Sequence, residues 1–335
     1  MNRCAAVLAG LLALPLCGQS ATPPAVVQVG VTVADLRAAV RFYTEVLGFT
    51  LLDTAERAGS DEERLLGVFG LRTDSTRLKL GDEILELTEF LAPRGRRLPD
   101  DARSNDRSFQ HIAIVVRDMD AAYAHLRRHR VAHASPAPQT LPPSNPTAGG
   151  IRAFYFRDPD GHALEVLHFP PDKGDPKWRR AGNDLFLGID HTAIVVGDTE
   201  RSLAFWRDTL GLSVAGTSDN HGAEQERLNN VFGARLRITT LRGTRGPGVE
   251  LLEYLTPRTG RPMPDDTAAN DLWHWVVTVR VPEVEPLATI LLRAGQAVSP
   301  APGLRRGAAG ADPHFLARDP DGHRVMLSAA ARQPR

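Results

Sequence analysis

Short apolar runs rich in valine and isoleucine recur along the chain, each bounded by polar residues or glycine. One run covers residues 112–116, between His111 and Asp118, and another covers 193–196, shortly after His191. Runs of this length and composition predict buried β-strands. Each predicted strand therefore starts beside a histidine and leads to an aspartate that can cap the next element.

A helical pattern follows the first predicted strand of each half. In the first half, Asp35 is placed as the N-cap, and Gly48 can adopt the left-handed conformation that often ends a helix. Asp198 and Gly211 mark the same limits in the second half. The apolar face of the first helix consists of Leu36, Val40, Tyr43 and Leu47, which recur at helical spacing.

Asp-Pro-Asp-Gly tetrapeptides at residues 158–161 and 319–322 predict turns between later strands, because proline fixes φ and glycine accepts positive φ. The predicted unit is therefore βαβββ. Four copies fill the chain, and the features of the first half return in the second at nearly constant spacing, which indicates a duplication of a duplication. The position that opens the first strand holds, in order, Gln28, His111, His191 and His274.

The repeat also predicts the domain organisation. We expect an α+β chain with an N-terminal domain at 26–170, a linker at 171–186 and a C-terminal domain at 187–330, each domain containing two βαβββ modules. The total length of 335 residues agrees with two domains at about 150 residues each. The proline-rich segment 135–150 lies outside the repeat and is interpreted either as a lid or as an inert insertion.

Composition narrows the class of partner. Lysine plus arginine and aspartate plus glutamate both number 40, so the net charge is zero and nucleic acid is not an expected partner. No apolar run reaches the roughly 20 residues that a membrane-spanning helix needs. A small-molecule substrate is the expected partner, and a homodimer stays open.

The N-terminus has the order of a secretory signal peptide. Arg3 precedes an apolar stretch that ends at Leu16, and small or polar residues follow. Both cysteines, Cys4 and Cys17, lie in this segment. We therefore predict a signal peptide at 1–20 and export to the periplasm or the outside. The cleavage point and lipidation at Cys17 stay open.

Carboxylates recur at one position of the last strand of each module. The four copies hold Glu86, Glu165, Glu250 and Met326. A glutamate among apolar neighbours is costly to bury unless it is paired or binds a cation. The first-strand positions also carry lone pairs that a metal can use. If modules pair within each half, the first half offers Gln28, Glu86, His111 and Glu165, and the second offers His191, Glu250 and His274.

These motifs resemble the vicinal oxygen chelate superfamily, which includes glyoxalase I, methylmalonyl-CoA epimerase, extradiol dioxygenases and bleomycin resistance proteins. The resemblance implies paired modules that form cupped, open-barrel sheets around one divalent metal: Zn, Ni, Fe, Mn or Co. It also implies that Gln28, Glu86, His111 and Glu165 of the first half match the four metal ligands of glyoxalase I of the eukaryotic type. Glu165 would then be the catalytic base, and Arg107 would be a substrate-binding residue.

The expected activity is that of a glyoxalase-type lyase or isomerase, which acts on an α-hydroxy carbonyl compound or a hemithioacetal through an enediolate. Because Met326 cannot accept a proton, we expect catalysis in the first half alone. Three alternatives stay open: an epimerase resembling methylmalonyl-CoA epimerase, a non-catalytic binding or resistance protein, and an Fe(II) dioxygenase with His191, His274 and Glu250 as its triad.

Overall fold

The computed structural model describes residues 23–298 and 313–329. The predicted signal peptide, with Cys4 and Cys17, lies outside the described residues. Within them, no helix is both long enough and apolar enough to cross a membrane.

The first half contains two modules built of strands and short helices. Module 1 consists of β1 (Ala25–Val33), α1 (Leu36–Arg41), β2 (Thr50–Ala58), α2 (Ser60–Leu66), β3 (Arg72–Leu80) and β4 (Glu83–Ala92). Module 2 consists of β5 (Gln110–Val116), α3 (Met119–Arg128), β6 (Ala132–His133), β7 (Gln139–Thr140), β8 (Arg152–Arg157) and β9 (Ala163–His168).

The second half repeats this order after a 3₁₀ turn at Pro176–Arg179. Module 3 consists of β10 (Phe186–Val196), α4 (Thr199–Leu203), β11 (Ser213–His221), α5 (Ala223–Asn229), β12 (Arg235–Arg242) and β13 (Gly248–Thr256). Module 4 consists of β14 (Trp275–Val281), α6 (Val284–Arg293), β15 (His314–Arg318) and β16 (Arg324–Ala329).

The helix limits predicted from the sequence are confirmed. The Asp35 side chain accepts a hydrogen bond from the Ala38 amide, and Asp198 caps α4 in the same way. Gly48 and Gly211 have φ values of +74° and +83°, in the left-handed region. Both helices also widen into a π-helical turn before they end, at Phe42–Val46 and at Ala204–Thr209, which the apolar spacing did not predict.

The strands form two open sheets, and each sheet joins one module from each half. Sheet A has the order β15-β16-β14-β1-β4-β3-β2, so module 1 pairs with module 4. Sheet B has the order β11-β12-β13-β10-β5-β9-β8-β6, with β7 beside β8, so module 2 pairs with module 3. The α+β class with four modules and open sheets is confirmed. The expectation that modules pair within each half is wrong.

The hydrophobic cores, in contrast, mainly follow the halves of the sequence, although Phe186, Ile189 and Trp275 join the first core and Val26 joins the second. One core packs α1 and α3 of the first half against the outer faces of β1, β4, β5 and β9. A second core does the same for α4 and α6 of the second half. Because strand residues alternate between faces, the opposite faces of the sheets form two concave surfaces, which are bordered by α2 in sheet A and by α5 in sheet B.

Candidate metal centre

The centre of sheet B brings two histidines and two glutamates together. Strands β5 and β10 run antiparallel, so that His191 lies opposite Ala113 and His111 lies opposite Ala193. On the outer side of each strand, the parallel neighbour places Glu165 beside Ala113 and Glu250 beside Ala193. The repeated slots of modules 2 and 3 therefore meet on one concave surface.

The polar atoms of this set converge. Glu165 Oε2 lies 3.0 Å from His111 Nε2 and 3.7 Å from His191 Nε2. His191 Nε2 lies 3.3 Å from Glu250 Oε2. His111, Glu165 and His191 are buried, and each offers a ligand atom within 4.8 Å of the others. Three of the four residues, Glu165, His191 and Glu250, line a cavity of about 980 Å³.

A second layer of side chains orients His191. Its Nδ1 lies 3.0 Å from Asp190 Oδ2, which also accepts from Arg242 Nη2 at 2.8 Å. The Trp178 indole donates to the other oxygen of Asp190 at 3.1 Å. A carboxylate on Nδ1 fixes the imidazole with Nε2 toward the cavity, the arrangement typical of metal-ligating histidines.

The charges at this site require a cation or a proton. Burial opposes protonation of His191, but Glu250, Asp190 and Glu165 outweigh burial and raise the pKa of His191 to about 9. The pKa of Asp190 is lowered despite its burial, because His191 and Arg242 stabilise the carboxylate. A divalent cation would replace the imidazole proton, since a metal-ligating histidine must be neutral.

The donor set fits a divalent metal. Two imidazole nitrogens and two carboxylates suit Zn²⁺, Ni²⁺, Fe²⁺, Mn²⁺ or Co²⁺ and leave coordination positions for a substrate. His111 presents Nε2 to Glu165, while its Nδ1 is buried without a hydrogen-bond partner among residues 23–298 and 313–329. Thr240 donates to Glu250 Oε1 at 2.7 Å, which leaves Oε2 facing His191. His111, Glu165, His191 and Glu250 could therefore hold the ion together.

The ligand set predicted for the first half is divided between the two sheets, so this grouping is corrected. Gln28 and Glu86 lie on β1 and β4 of sheet A, whereas His111 and Glu165 lie on sheet B. The second predicted set is also divided, because His274 lies on sheet A. The dioxygenase triad with His191, Glu250 and His274 is therefore not assembled. The physical reason is the pairing of β1 with β14 and of β5 with β10.

The equivalent slots of sheet A are already paired with one another. Gln28 Nε2 donates to Glu86 Oε2 at 2.5 Å, and Arg57 Nη1 donates to Glu86 Oε1 at 2.9 Å. Burial and the charge of Arg324 lower the pKa of His274 to about 3. Met326 adds a thioether, a poor ligand for hard cations. Sheet A therefore lacks the converging carboxylates of sheet B.

Arg107, predicted to bind substrate, is not among the residues that line either cavity. Its Nη1 lies 3.4 Å from Asp321 Oδ1, in the second Asp-Pro-Asp-Gly turn.

Sequence reasoning missed Asp190 and Trp178. Asp190 could have been found as an acidic residue inside an apolar strand, whereas Trp178 lies in the predicted linker and carried no such pattern.

The proline-rich segment 135–150 forms part of the cavity wall. Leu141 and Ala148 are buried and line the cavity of sheet B. Asn145 Nδ2 donates to Asn220 Oδ1 at 2.8 Å, and the Ser135 hydroxyl donates to the Leu228 carbonyl at 2.6 Å. These contacts favour the lid interpretation over an inert insertion, and movement of the segment stays a prediction.

This arrangement matches a known family. The model of the Glyoxalase/Bleomycin resistance protein/Dioxygenase superfamily matches residues 25–166 and 188–327. The chain belongs to this superfamily, whose members typically bind a divalent metal.

Its relatives include enzymes of different activities. It is 40% identical over 151 residues to a 2-epi-5-epi-valiolone epimerase of an Actinomyces species, an alignment that covers 44% of this chain and 80% of the relative. It is 26% identical over 197 residues to the lactoylglutathione lyase of Schizosaccharomyces pombe, covering 57% of this chain and 60% of the relative. Glyoxalase I of Zea mays shares the fold with a TM-score of 0.61 at 18% identity, over 91% of this chain and 92% of that one.

Proposed function

We propose that the protein is a divalent-metal-dependent isomerase or lyase that moves a proton at or between carbons of an α-hydroxy carbonyl compound. The observation that supports this proposal is the convergence of Glu165 and Glu250 on His111 and His191 within one cavity. A divalent cation, when bound, supplies Lewis acidity that favours removal of a proton beside a carbonyl group. The chain itself must supply the base.

Glu165 is the better candidate for that base. Its side chain contacts His111 and His191 but has no hydrogen bond from a hydroxyl group or an arginine among the described residues. Glu250, in contrast, is held by the Thr240 hydroxyl. In the proposed reaction, Glu165 accepts the proton from the substrate carbon and returns it to the neighbouring carbon. A carboxylate in this role typically contributes a factor of about 10² to 10⁴ in rate.

Epimerisation is a second candidate, and the 40% identity to 2-epi-5-epi-valiolone epimerase favours it. In this version Glu165 removes a proton from one face of a carbon, and Glu250 supplies a proton to the opposite face. The two glutamates occupy repeat-equivalent positions on opposite sides of the histidine pair, which supports a two-base reaction.

The test is the exchange of substrate protons with solvent. Metal-loaded protein is incubated in D₂O with a panel of α-hydroxy ketones and hemithioacetals, and loss of each C–H signal is followed by NMR. Glu165→Gln should lower exchange by about 10² or more. Glu86→Gln, the equivalent change in sheet A, should leave exchange near the wild-type rate. The proposal is refuted if Glu165→Gln exchanges substrate protons at the wild-type rate. It is also refuted if Glu86→Gln lowers the exchange rate by the same factor as Glu165→Gln.

A further inference from the structure

Sheet A carries a second cavity, of about 370 Å³, on its concave surface. Strands β1, β4 and β14 form its floor, and Leu65 and Leu66 of α2 lie in its wall. This volume is near the lower end of the range for pockets that bind small molecules. The cavity is therefore large enough for a small organic ligand, and the groups that face it decide the class of ligand.

His274 lies in the wall of this cavity and has a ring nitrogen without a partner. Its Nε2 is buried and forms no hydrogen bond within residues 23–298 and 313–329, and the residue as a whole is only 7% exposed. Buried polar atoms are normally satisfied by protein groups, by water or by a ligand. Since His274 lines a cavity, a ligand bound there could supply the missing partner.

The neighbours of His274 decide which ring nitrogen carries the hydrogen. The Thr32 hydroxyl donates to the Ala269 carbonyl at 2.8 Å, so its hydrogen is already used. His274 Nδ1 lies 3.3 Å from Thr32 Oγ1 and must therefore be the donor of that pair. Because burial and Arg324 hold the pKa of His274 at about 3, the ring is neutral at pH 7. Nε2 then carries a lone pair and can only accept a hydrogen bond.

The charges near His274 disfavour ionic ligands. Arg324, on β16, is only 7% exposed and, within the described part of the chain, donates to two backbone carbonyls rather than to a carboxylate. Its positive charge opposes protonation of His274 and would equally oppose an ammonium group on a ligand. A carboxylate would face the lone pair of Nε2, and the Arg57 guanidinium of the lining is already paired with Glu86 at 2.9 Å. A neutral hydroxyl group meets neither obstacle.

The walls near His274 are apolar. Leu66 and Phe90 line the cavity and pack in one cluster with Ala269, the residue whose carbonyl accepts from Thr32. Val276 also lines the cavity and lies opposite Gly30, where a Cβ atom would meet Val276 Cγ1 at 2.7 Å. Apolar walls around one hydrogen-bond acceptor suit a ligand with an apolar body and a single hydroxyl group.

We propose that the cavity of sheet A binds a small, uncharged, largely apolar alcohol whose hydroxyl group donates a hydrogen bond to His274 Nε2. Arg280 lies six residues further along β14, about 20 Å along the strand, and takes no part in this contact. The site needs no metal, and it does not depend on the reaction proposed for sheet B.

The experiment follows the ring ¹⁵N signals of His274 by NMR while the full protein is titrated with cyclohexanol. The signals are assigned by their loss in His274→Gln. Nε2 should begin with the shift of an unprotonated nitrogen, and millimolar cyclohexanol should move it toward the hydrogen-bonded value. Cyclohexanone keeps the ring but has no O–H group, so it should bind at this site about threefold more weakly or worse. Cyclohexylammonium and cyclohexanecarboxylate, with a charge of either sign, should also bind more weakly there.

Two nearly isosteric variants test the role of Thr32. Thr32→Val removes the acceptor that holds the hydrogen on Nδ1, so Nε2 should become protonated and cyclohexanol should bind about threefold more weakly or worse. Thr278→Val changes another threonine of the same cavity and should leave binding unchanged. Melting curves check that both variants are folded. The proposal fails if Nε2 is protonated in the wild type, if millimolar cyclohexanol does not move its signal, or if cyclohexanone binds there as tightly as cyclohexanol.

Discussion

The two repeat-equivalent histidines of the second half, His191 and His274, should differ in their effect on metal binding. Both are buried, His191 in the middle of β10 and His274 immediately before β14. His191 Nε2 lies within 3.3 Å of Glu250 and 3.7 Å of Glu165, whereas His274 faces Thr32 in the other sheet. We therefore expect that His191→Ala removes a ligand from the metal centre and that His274→Ala does not.

The expected effect follows from mass action. A metal present at a hundred times its dissociation constant stabilises the folded protein by about 2.7 kcal/mol. Loss of one of four ligands should weaken binding by about a hundredfold or more, since loss of an outer-shell partner already costs about 10- to 100-fold. At the same metal concentration the stabilisation of His191→Ala then falls to roughly 0.4 kcal/mol.

Differential scanning calorimetry with and without Zn²⁺, Ni²⁺ or Mn²⁺ measures this difference. At about 2–4 °C per kcal/mol, the metal should raise the melting temperature of the wild type and of His274→Ala by about 5–10 °C, and that of His191→Ala by about 1 °C. The metal-induced rise is compared, because either substitution also leaves a cavity. A full rise in His191→Ala, or its loss in His274→Ala, would show that the metal centre is placed wrongly.

Two further predictions concern groups around these sites. Asp190→Asn removes the charge that orients His191, so equilibrium dialysis should show metal affinity reduced by about 10- to 100-fold, and an unchanged affinity would contradict the role of Asp190. Both nitrogens of buried His162 face acceptors, Asp158 Oδ2 at 2.8 Å and the Leu272 carbonyl at 2.6 Å. Although burial opposes a charge on the imidazole, Asp158 raises the pKa of His162 above 6.5. The stability that His162 contributes should therefore be complete below pH 6.5 and lost as the pH rises through the raised pKa. The free energy of unfolding in urea should then differ more between wild type and His162→Gln at pH 6 than at pH 9. A difference that is the same at both pH values would refute this.

Local features were predictable from the sequence because their causes are local. Asp35 and Gly48 limit a helix through hydrogen bonds and φ angles within a few residues of themselves. The ligand slots were also predictable, because the fourfold repeat returned histidines and glutamates to the same two positions. The repeat alone indicates His111, Glu165, His191 and Glu250 as metal ligands or candidate ligands.

The pairing of modules was not predictable in this way. Strands β5, β10 and β14 all present apolar residues on both sides of the same backbone pattern, so each could pair with the edge of β1. Which one does so depends on how the helices of each half pack, and that packing is a property of the whole chain. The helix-covered cores join the two modules of each half, whereas the first strands of the modules pair across the halves, β1 with β14 and β5 with β10.

The exchange of strands between halves has a consequence for the newly synthesised chain. Strand β1 leaves the ribosome before the other described strands, yet its antiparallel partner β14 belongs to the last module, with Val29 opposite Val277. Strand β10 follows β5 after residues 117–185, so the two central strands of sheet B can pair before module 4 is synthesised. The free edge of β1 must wait for nearly the whole chain, and unpaired strand edges invite association with other chains. Aggregation during expression should therefore begin at β1, and co-expressed chaperones that shield nascent strands should raise the soluble yield.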